Sequence, residues 1–398
     1  MRITFIDFAT FDYTPATPLE RPLGGMQSPL CYLAMALAKR GHDVVLINQT
    51  KQASTAAGVT CINVADARTA ARLRATDVIV SISCAGASLR QGGLQCPLVL
   101  WTGHDITEKA VQALSSFTER IAWNRIVMVS RWQADRFSKS FKINQTSIQV
   151  LGNAIAPPFE SVSRQNYFFE AGRPPVLAYT STPFRGLHIL LRAMPVLRSL
   201  VPGCTARIYS SMAVYQTAPD NDRYASLYEQ CRETEGVEYC GSLNQSALSA
   251  AIRDVDIFAY PSTFLETSCI VLMEAMASGC MVISNDQGAL PETAAGFGYL
   301  HSSVPRGSDD AYADDYARFA ARIIQEAYGD AAKARSRLEL QRAYALKTYV
   351  WSSRAAAWEA FLEKIVREPP PEIPPRNGAC PCGSGEKFKH CCGAFIGI

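Results

Sequence analysis

The sequence has no apolar run approaching the roughly 18 to 20 residues that a bilayer-crossing helix needs, so at most peripheral membrane contact is expected. It also lacks a charge surplus. Its 39 basic and 36 acidic residues leave a net +3, too weak a field to grip nucleic acid through its phosphates. The chain opens Arg2-Ile3-Thr4-Phe5-Ile6, with no basic segment, apolar stretch and cleavage site in succession. Export is therefore not expected, and a cytoplasmic location is. No Walker glycine loop, G-x-S-x-G elbow or H-E-x-x-H string occurs, which leaves P-loop, nucleophile-elbow and zincin chemistry without a motif.

What is present is enough for two domains and a small appendage, because 398 residues exceed one comfortable core. A composition of 48% hydrophobic and 19% charged residues is too apolar for general disorder. Short apolar runs at 2–8, 43–48, 77–82, 97–101, 125–129 and 148–151, then 176–180, 205–210, 236–240, 255–260 and 281–284, alternate with helical patterns. That alternation predicts an α/β fold of two doubly wound, Rossmann-like domains, with ligands beyond the carboxyl ends of the strands. A turn pair and two prolines in Gly152–Pro158 break the pattern. The expected division is 1–155, then 156–366 with terminal helices, the last able to pack on either domain. A linker at 367–377 holds five prolines between Glu368 and Pro375 and should be extended and unpaired. Residues 378–398 should form a separate module.

The most informative stretch runs from Tyr260-Pro261-Ser262 through Glu266-Thr267-Ser268-Cys269-Ile270 to Glu274-Ala275-Met276-Ala277-Ser278-Gly279. Thr267 or Ser268 can cap a helix whose free N–H groups face an anion. Glu266 and Glu274 can each accept paired hydrogen bonds from vicinal hydroxyls, which suits a sugar or ribose beside a phosphate. Spacing alone equally fits a solvated loop glutamate and a helix-surface one.

The Pro-Ser, E-x7-E and Ala-Met-Ala-x-Gly string, followed by Gly288-Ala289-Leu290-Pro291-Glu292, resembles the GT-B retaining nucleotide-sugar glycosyltransferases, group 1 and family 4-like. The likeness extends in layout over residues 1 to about 365. It implies two domains facing across a cleft, with a nucleoside diphosphate sugar as donor in the second. Glu266 would then lie by the donor sugar and Glu274 would hold the ribose. The backbone at Thr267, Ser268, Cys269 and Ile270 would approach the phosphate, although many members carry Phe-Gly where this chain has Ser268-Cys269. Arg185 matches the second cation of the family's diphosphate clamp, and Ser181 or Thr182 stands where the first is usual. Gly24 and Gly25, which by themselves could simply make a turn, match the glycine pair that lines the cleft. His104, after the run 97–101, matches the histidine near the reacting carbon and acceptor.

Asp220-Asn221-Asp222 and Asp254-Val255-Asp256 satisfy D-x-D, but the first reads as a turn and the second as the start of a buried strand, so no catalytic metal is expected. Of 13 cysteines, four crowd into the last 19 residues. Cys380, Cys382, Cys391 and Cys392, folded around glycines, suit a closed tetrahedral zinc knuckle. The string resembles the SEC-C module of the preprotein translocase ATPase. Lys387, Phe388 and Lys389 read as two cations and an exposed aromatic suited to docking on a protein. The combined expectation is a hexosyl- or N-acetylhexosaminyltransferase whose acceptor is a polypeptide recruited through the zinc tail. A lipid-linked or small-molecule glycan acceptor, a sugar-nucleotide epimerase and an inactive glycan-binding adaptor are the competing readings.

Overall fold

The computed structural model describes all residues except 165, 303–306, 373, 381–383 and 392–398. It divides into two compact units: Met1–Ala16, Pro29–Asn153 and Arg354–Ile398 form the first, and Thr17–Ser28 with Ala154–Ser353 the second.

The first unit is built on eight strands: β1 (Arg2–Ile6), β2 (Asp43–Asn48), β3 (Ser54–Ala56), β4 (Val59–Asn63), β5 (Val78–Ser81), β6 (Leu98–Thr102), β7 (Arg125–Met128) and β8 (Ile148–Val150). Their order is β3-β4-β2-β1-β5-β6-β7-β8, parallel except where β3 meets β4. Val78, Ile79, Leu98, Val99 and Leu100 are buried completely, as a sheet covered by helices on both faces requires. The helix Trp351–Ile365 returns to this unit. Its Trp358 packs edge-on against Trp101 of β6, with ring centroids 5.1 Å apart, and its Glu359 pairs with His42 at 2.8 Å and with Arg40.

The second unit has six parallel strands: β9 (Val176–Tyr179), β10 (Thr205–Ile208), β11 (Val237–Tyr239), β12 (Ile257–Tyr260), β13 (Met281–Asn285) and β14 (Tyr299–His301). Their order is β11-β10-β9-β12-β13-β14. The chain winds outward in both directions from β9 and β12, so the crevice beyond their carboxyl ends is the switch point where ligands bind in such sheets. Thr17–Ser28, expected in the first domain, groups here instead. Asn244 donates to the Glu20 carbonyl at 3.3 Å and Gln216 to that of Pro22 at 3.2 Å.

Two expectations about the C-terminus are corrected. The proline segment is not an unpaired linker. Glu368 pairs with Arg125 at 2.8 Å, and the Pro369 carbonyl accepts from Asn124 at 2.9 Å. Proline has no N–H, but its carbonyl still accepts, and the Pro369–Pro371 rings help wall a cavity of about 470 Å³ with Ile121, Ile126 and Ile143. Phe388 is also buried rather than exposed, stacked at a tilt on Phe117 with centroids 4.9 Å apart. Its ring belongs to one apolar cluster with Cys380, Cys391 and Ile121, because covering a second aromatic is worth more than presenting one to water. Among the described residues no helix is long and apolar enough to cross a membrane.

Candidate functional site

The loop after β9 carries Arg185, and the loop after β12 carries Glu266. Arg185 Nη1 lies 2.8 Å and 3.0 Å from the two oxygens of Glu266, and the Tyr260 hydroxyl donates to the same carboxylate at 2.5 Å. Burial opposes the charge on Arg185, but the neighbouring Glu266 carboxylate more than offsets it and holds the guanidinium well above its ordinary pKa. The guanidinium also stands over Phe264, 4.3 Å from the ring centroid, a further contact favouring the cation.

Two glycines let these loops approach so closely. Gly186 has φ +117, and a Cβ there would sit 2.2 Å from the Pro261 carbonyl oxygen. Gly288 has φ +64, and a Cβ would sit 2.5 Å from the Glu266 oxygen and 2.7 Å from its nitrogen. Next to it, the Ala289 N–H donates to the Glu266 carbonyl at 2.6 Å. The Gly288–Glu292 string thus acts as the backstop of Glu266.

The helix that Thr267 or Ser268 was expected to cap starts later. It spans Ile270–Ala277 with Cys269, in extended conformation, at its N-cap and no side-chain cap. Ser268 Oγ is instead buried with no hydrogen-bond partner, as are Thr182 Oγ1, Arg185 Nε, Ser210 Oγ and Gln287 Oε1. All five sit on loops that follow β9, β10, β12 or β13. Buried polar atoms are ordinarily satisfied; these five are among sixteen such atoms in the described residues and lie on the loops beyond the carboxyl ends of this sheet's strands.

Glu274 lies within the helix, fully enclosed. Burial pushes its carboxyl up to about 8, opposed by the Ala156 N–H, which donates to it at 3.2 Å. Gly24 and Gly25 lie in Thr17–Ser28. Gly24 is packed so that a Cβ would meet Gln27 at 3.0 Å and the Tyr215 ring at 3.2 Å, whereas Gly25 opens onto space.

His104 sits in the first unit, in the loop after β6. Its Nδ1 is 2.9 Å from Glu108 Oε2, while Glu108 Oε1 accepts the Asp105 N–H at 2.8 Å. An ionised carboxylate only accepts, so Nδ1 carries the hydrogen of this contact. Glu108 escaped the sequence reading, although its i+4 spacing from His104 was the available signal. Burial raises the Asp105 carboxyl, but bonds from Arg136 and Thr107 prevail and hold it below the usual carboxylate range.

The D-x-D strings have structural partners. Asp256 accepts from Arg164, Arg173 and the Val176 N–H, and Asp222 from the Met212 N–H and the Tyr228 hydroxyl. In the tail, an antiparallel bridge joins Ala379 and Lys387, and Cys380 and Cys391 belong to one apolar cluster with Phe117 and Phe388. Cys382 and Cys392 lie outside the described residues. Among the described residues no group of three metal-ligating side chains occurs.

Residues 174–322 match the family described as Glycosyl transferases group 1. Residues 376–394 match the SEC-C motif. A phosphatidyl-myo-inositol mannosyltransferase of Propionibacterium freudenreichii subsp. shermanii is 26% identical over 138 residues, 34% of this chain and 32% of that protein. A D-inositol 3-phosphate glycosyltransferase of Corynebacterium glutamicum is 28% identical over 184 residues, 46% and 41% respectively. The chain therefore spans well under half the length of these curated relatives. Over the tail, the protein translocase subunit SecA of a Caulobacter strain is 72% identical over 25 residues, 6% of this chain and 3% of that one. Sucrose-phosphate synthase of Thermosynechococcus elongatus superposes with a TM-score of 0.68 at 14% identity, covering 91% of this chain and 98% of its own. Anabaena HepE, solved with UDP-glucose, gives 0.64 at 17%, covering 92% and 100%. The chain shares the GT-B fold of these structures.

Proposed function

We propose that this chain is a retaining glycosyltransferase that takes a sugar from a nucleoside diphosphate donor held by the second unit. The observation that carries the reading is the set of unpartnered buried polar atoms around the Arg185–Glu266 pair at the carboxyl ends of β9, β10, β12 and β13. In this reading Glu274 holds the ribose, Arg185 and the backbone from Thr267 to Ile270 meet the diphosphate, and Glu266 serves the sugar. The bond between the anomeric carbon and the diphosphate oxygen breaks, and its electron pair leaves with the diphosphate. The acceptor oxygen bonds to the same face of that carbon, and its proton passes to the leaving phosphate oxygen. Arg185 and the N-terminus of the helix Ile270–Ala277 stabilise the charge that develops there.

The names of the curated relatives favour an inositol-containing small molecule or lipid as acceptor over the polypeptide expected from the tail. The tail's aromatic is spent on Phe117 rather than offered to a partner. For the SEC-C motif we propose a structural zinc held by Cys380, Cys382, Cys391 and Cys392. Four thiolates would close its coordination, leaving it a folding role. The test is incubation of the full chain with labelled UDP-, GDP- and ADP-sugars, with inositol phosphates, inositol lipids or no acceptor. Transfer with the donor's anomeric configuration kept supports the reading. Sugar isomerised without acceptor would favour an epimerase, and no donor consumed would leave the adaptor.

A further inference from the structure

Tyr260, the last residue of β12, is completely buried. Its carbonyl accepts from Ser284 Oγ at 2.7 Å, and its ring packs against Tyr179 and Phe258, with centroids 5.6 Å and 5.3 Å away. Strand and rings together fix where the phenol points. Its hydroxyl donates to Glu266 Oε1 at 2.5 Å. With the phenol hydrogen committed to the carboxylate, Ser181 Oγ, 3.3 Å away, is the donor of its own contact with Tyr260.

The two oxygens of Glu266 are used unequally. Oε1 takes the phenol and also Arg185 Nη1 at 2.8 Å, whereas among the described residues Oε2 takes the same Nη1 alone, at 3.0 Å. One guanidinium nitrogen therefore serves both oxygens. Arginine and carboxylate more often pair through a fork of two parallel N–H···O bonds, which needs two nitrogens. The phenol accounts for the difference. A carboxylate oxygen offers about two lone-pair sites, and both sites of Oε1 are filled, so the carboxylate cannot turn to meet a second nitrogen without losing Tyr260. The guanidinium carbon meanwhile stands 4.3 Å from the Phe264 ring centroid and 5.5 Å from that of Phe184, and the Arg185 side chain stays a quarter exposed.

Resting on the donor reading above, we propose that Tyr260 is a positioning residue whose hydroxyl keeps Arg185 and Glu266 joined through one nitrogen, so that the rest of the guanidinium remains open to the diphosphate and Oε2 to a sugar hydroxyl. Without that hydroxyl the pair closes into a two-nitrogen fork and the arriving anion loses the arginine. Tyr260 touches no substrate in this account and acts through Glu266.

Calorimetry with UDP, GDP and ADP on the full chain tests this in wild type, Tyr260→Phe, Glu266→Gln and the double variant. Tyr260→Phe should weaken the diphosphate that wild type binds best roughly tenfold, the loss of one hydrogen bond to a charged group. In the Glu266→Gln background no carboxylate is left to close the fork, so adding Tyr260→Phe should change nothing further, a coupling that a merely structural hydroxyl would not show. Tyr316→Phe is the folding control. It removes a phenol's hydrogen bond to the Ile283 carbonyl at an equally buried place, and should lower the melting temperature while diphosphate binding stays as in wild type. Unaltered binding in Tyr260→Phe, or the same loss in both backgrounds, overturns the role of Tyr260 while the glycosyltransferase reading stands. If wild type binds none of the three diphosphates, the donor reading itself fails and Tyr260 with it.

Discussion

Arg185 and Glu266, 81 residues apart in sequence, are joined by two contacts of 2.8 Å and 3.0 Å from a single guanidinium nitrogen. The groups assigned to the diphosphate and to the sugar therefore neutralise each other before any donor arrives. Removing one partner should leave a buried charge uncompensated. Arg185→Met is expected to cost about 2–4 kcal/mol, below the usual range for a fully buried pair because the guanidinium is a quarter exposed. Adding Glu266→Gln should restore most of the stability but none of the activity. Denaturant melts of the two single variants and the double variant check this. Additive losses would show that the pair does not matter to the fold.

Gly288 supports Glu266 from behind. With φ +64 and a prospective Cβ 2.5 Å from the Glu266 carbonyl oxygen, Gly288→Ala should cost about 1–3 kcal/mol and weaken donor binding by shifting that carboxylate. Gly329→Ala, where a Cβ meets nothing within 4 Å, is the control and should stay within about 0.5 kcal/mol of wild type. Equal melting of the two variants would contradict the crowding argument.

Glu274 makes the site sensitive to pH. Burial lifts its carboxyl to about 8, so the folded chain keeps a proton that the unfolded chain loses above roughly pH 4.5. The group's contribution to stability is therefore full below pH 4.5 and falls as pH rises towards 8. Glu274→Gln should flatten the melting temperature across that window. Ribose hydroxyls donating to the carboxylate would lower its pKa, so binding a donor at pH 7 should release a fraction of a proton. Calorimetry in buffers of different ionisation enthalpy should find that release in wild type and not in Glu274→Gln. Identical proton counts would remove Glu274 from the ribose.

Doubly wound sheets and helices over 309–366 were legible because their periods are local. The strands Asp43–Asn48 and Ile257–Tyr260 fall on apolar runs that needed no tertiary knowledge. Ser54–Ala56, Val59–Asn63 and Tyr299–His301 were not found, being short and mixed in polarity near sheet edges. Partners distant in sequence were hidden for another reason. No period links Arg185 to Glu266, Gly24 to Tyr215 or Phe388 to Phe117. A phenylalanine between two lysines looks solvated until the ring that covers it is known.

The tail offers a separate check. A chain purified without chelator should carry one zinc, and Cys380→Ser should lower that content. Chelator, or Phe388→Ala, should open residues 376–391 to proteolysis, the latter because a core phenylalanine truncation costs roughly 3–5 kcal/mol and here acts on a small cluster. Absence of metal by elemental analysis would refute the knuckle.

The central claim is a nucleoside diphosphate sugar bound in the second unit, and direct calorimetry of UDP- and GDP-sugars on the full chain tests it. The account predicts one donor bound per chain, weakened at least tenfold in Glu274→Ala and in Arg185→Met. No binding by wild type, or equal affinity in all three proteins, would contradict it.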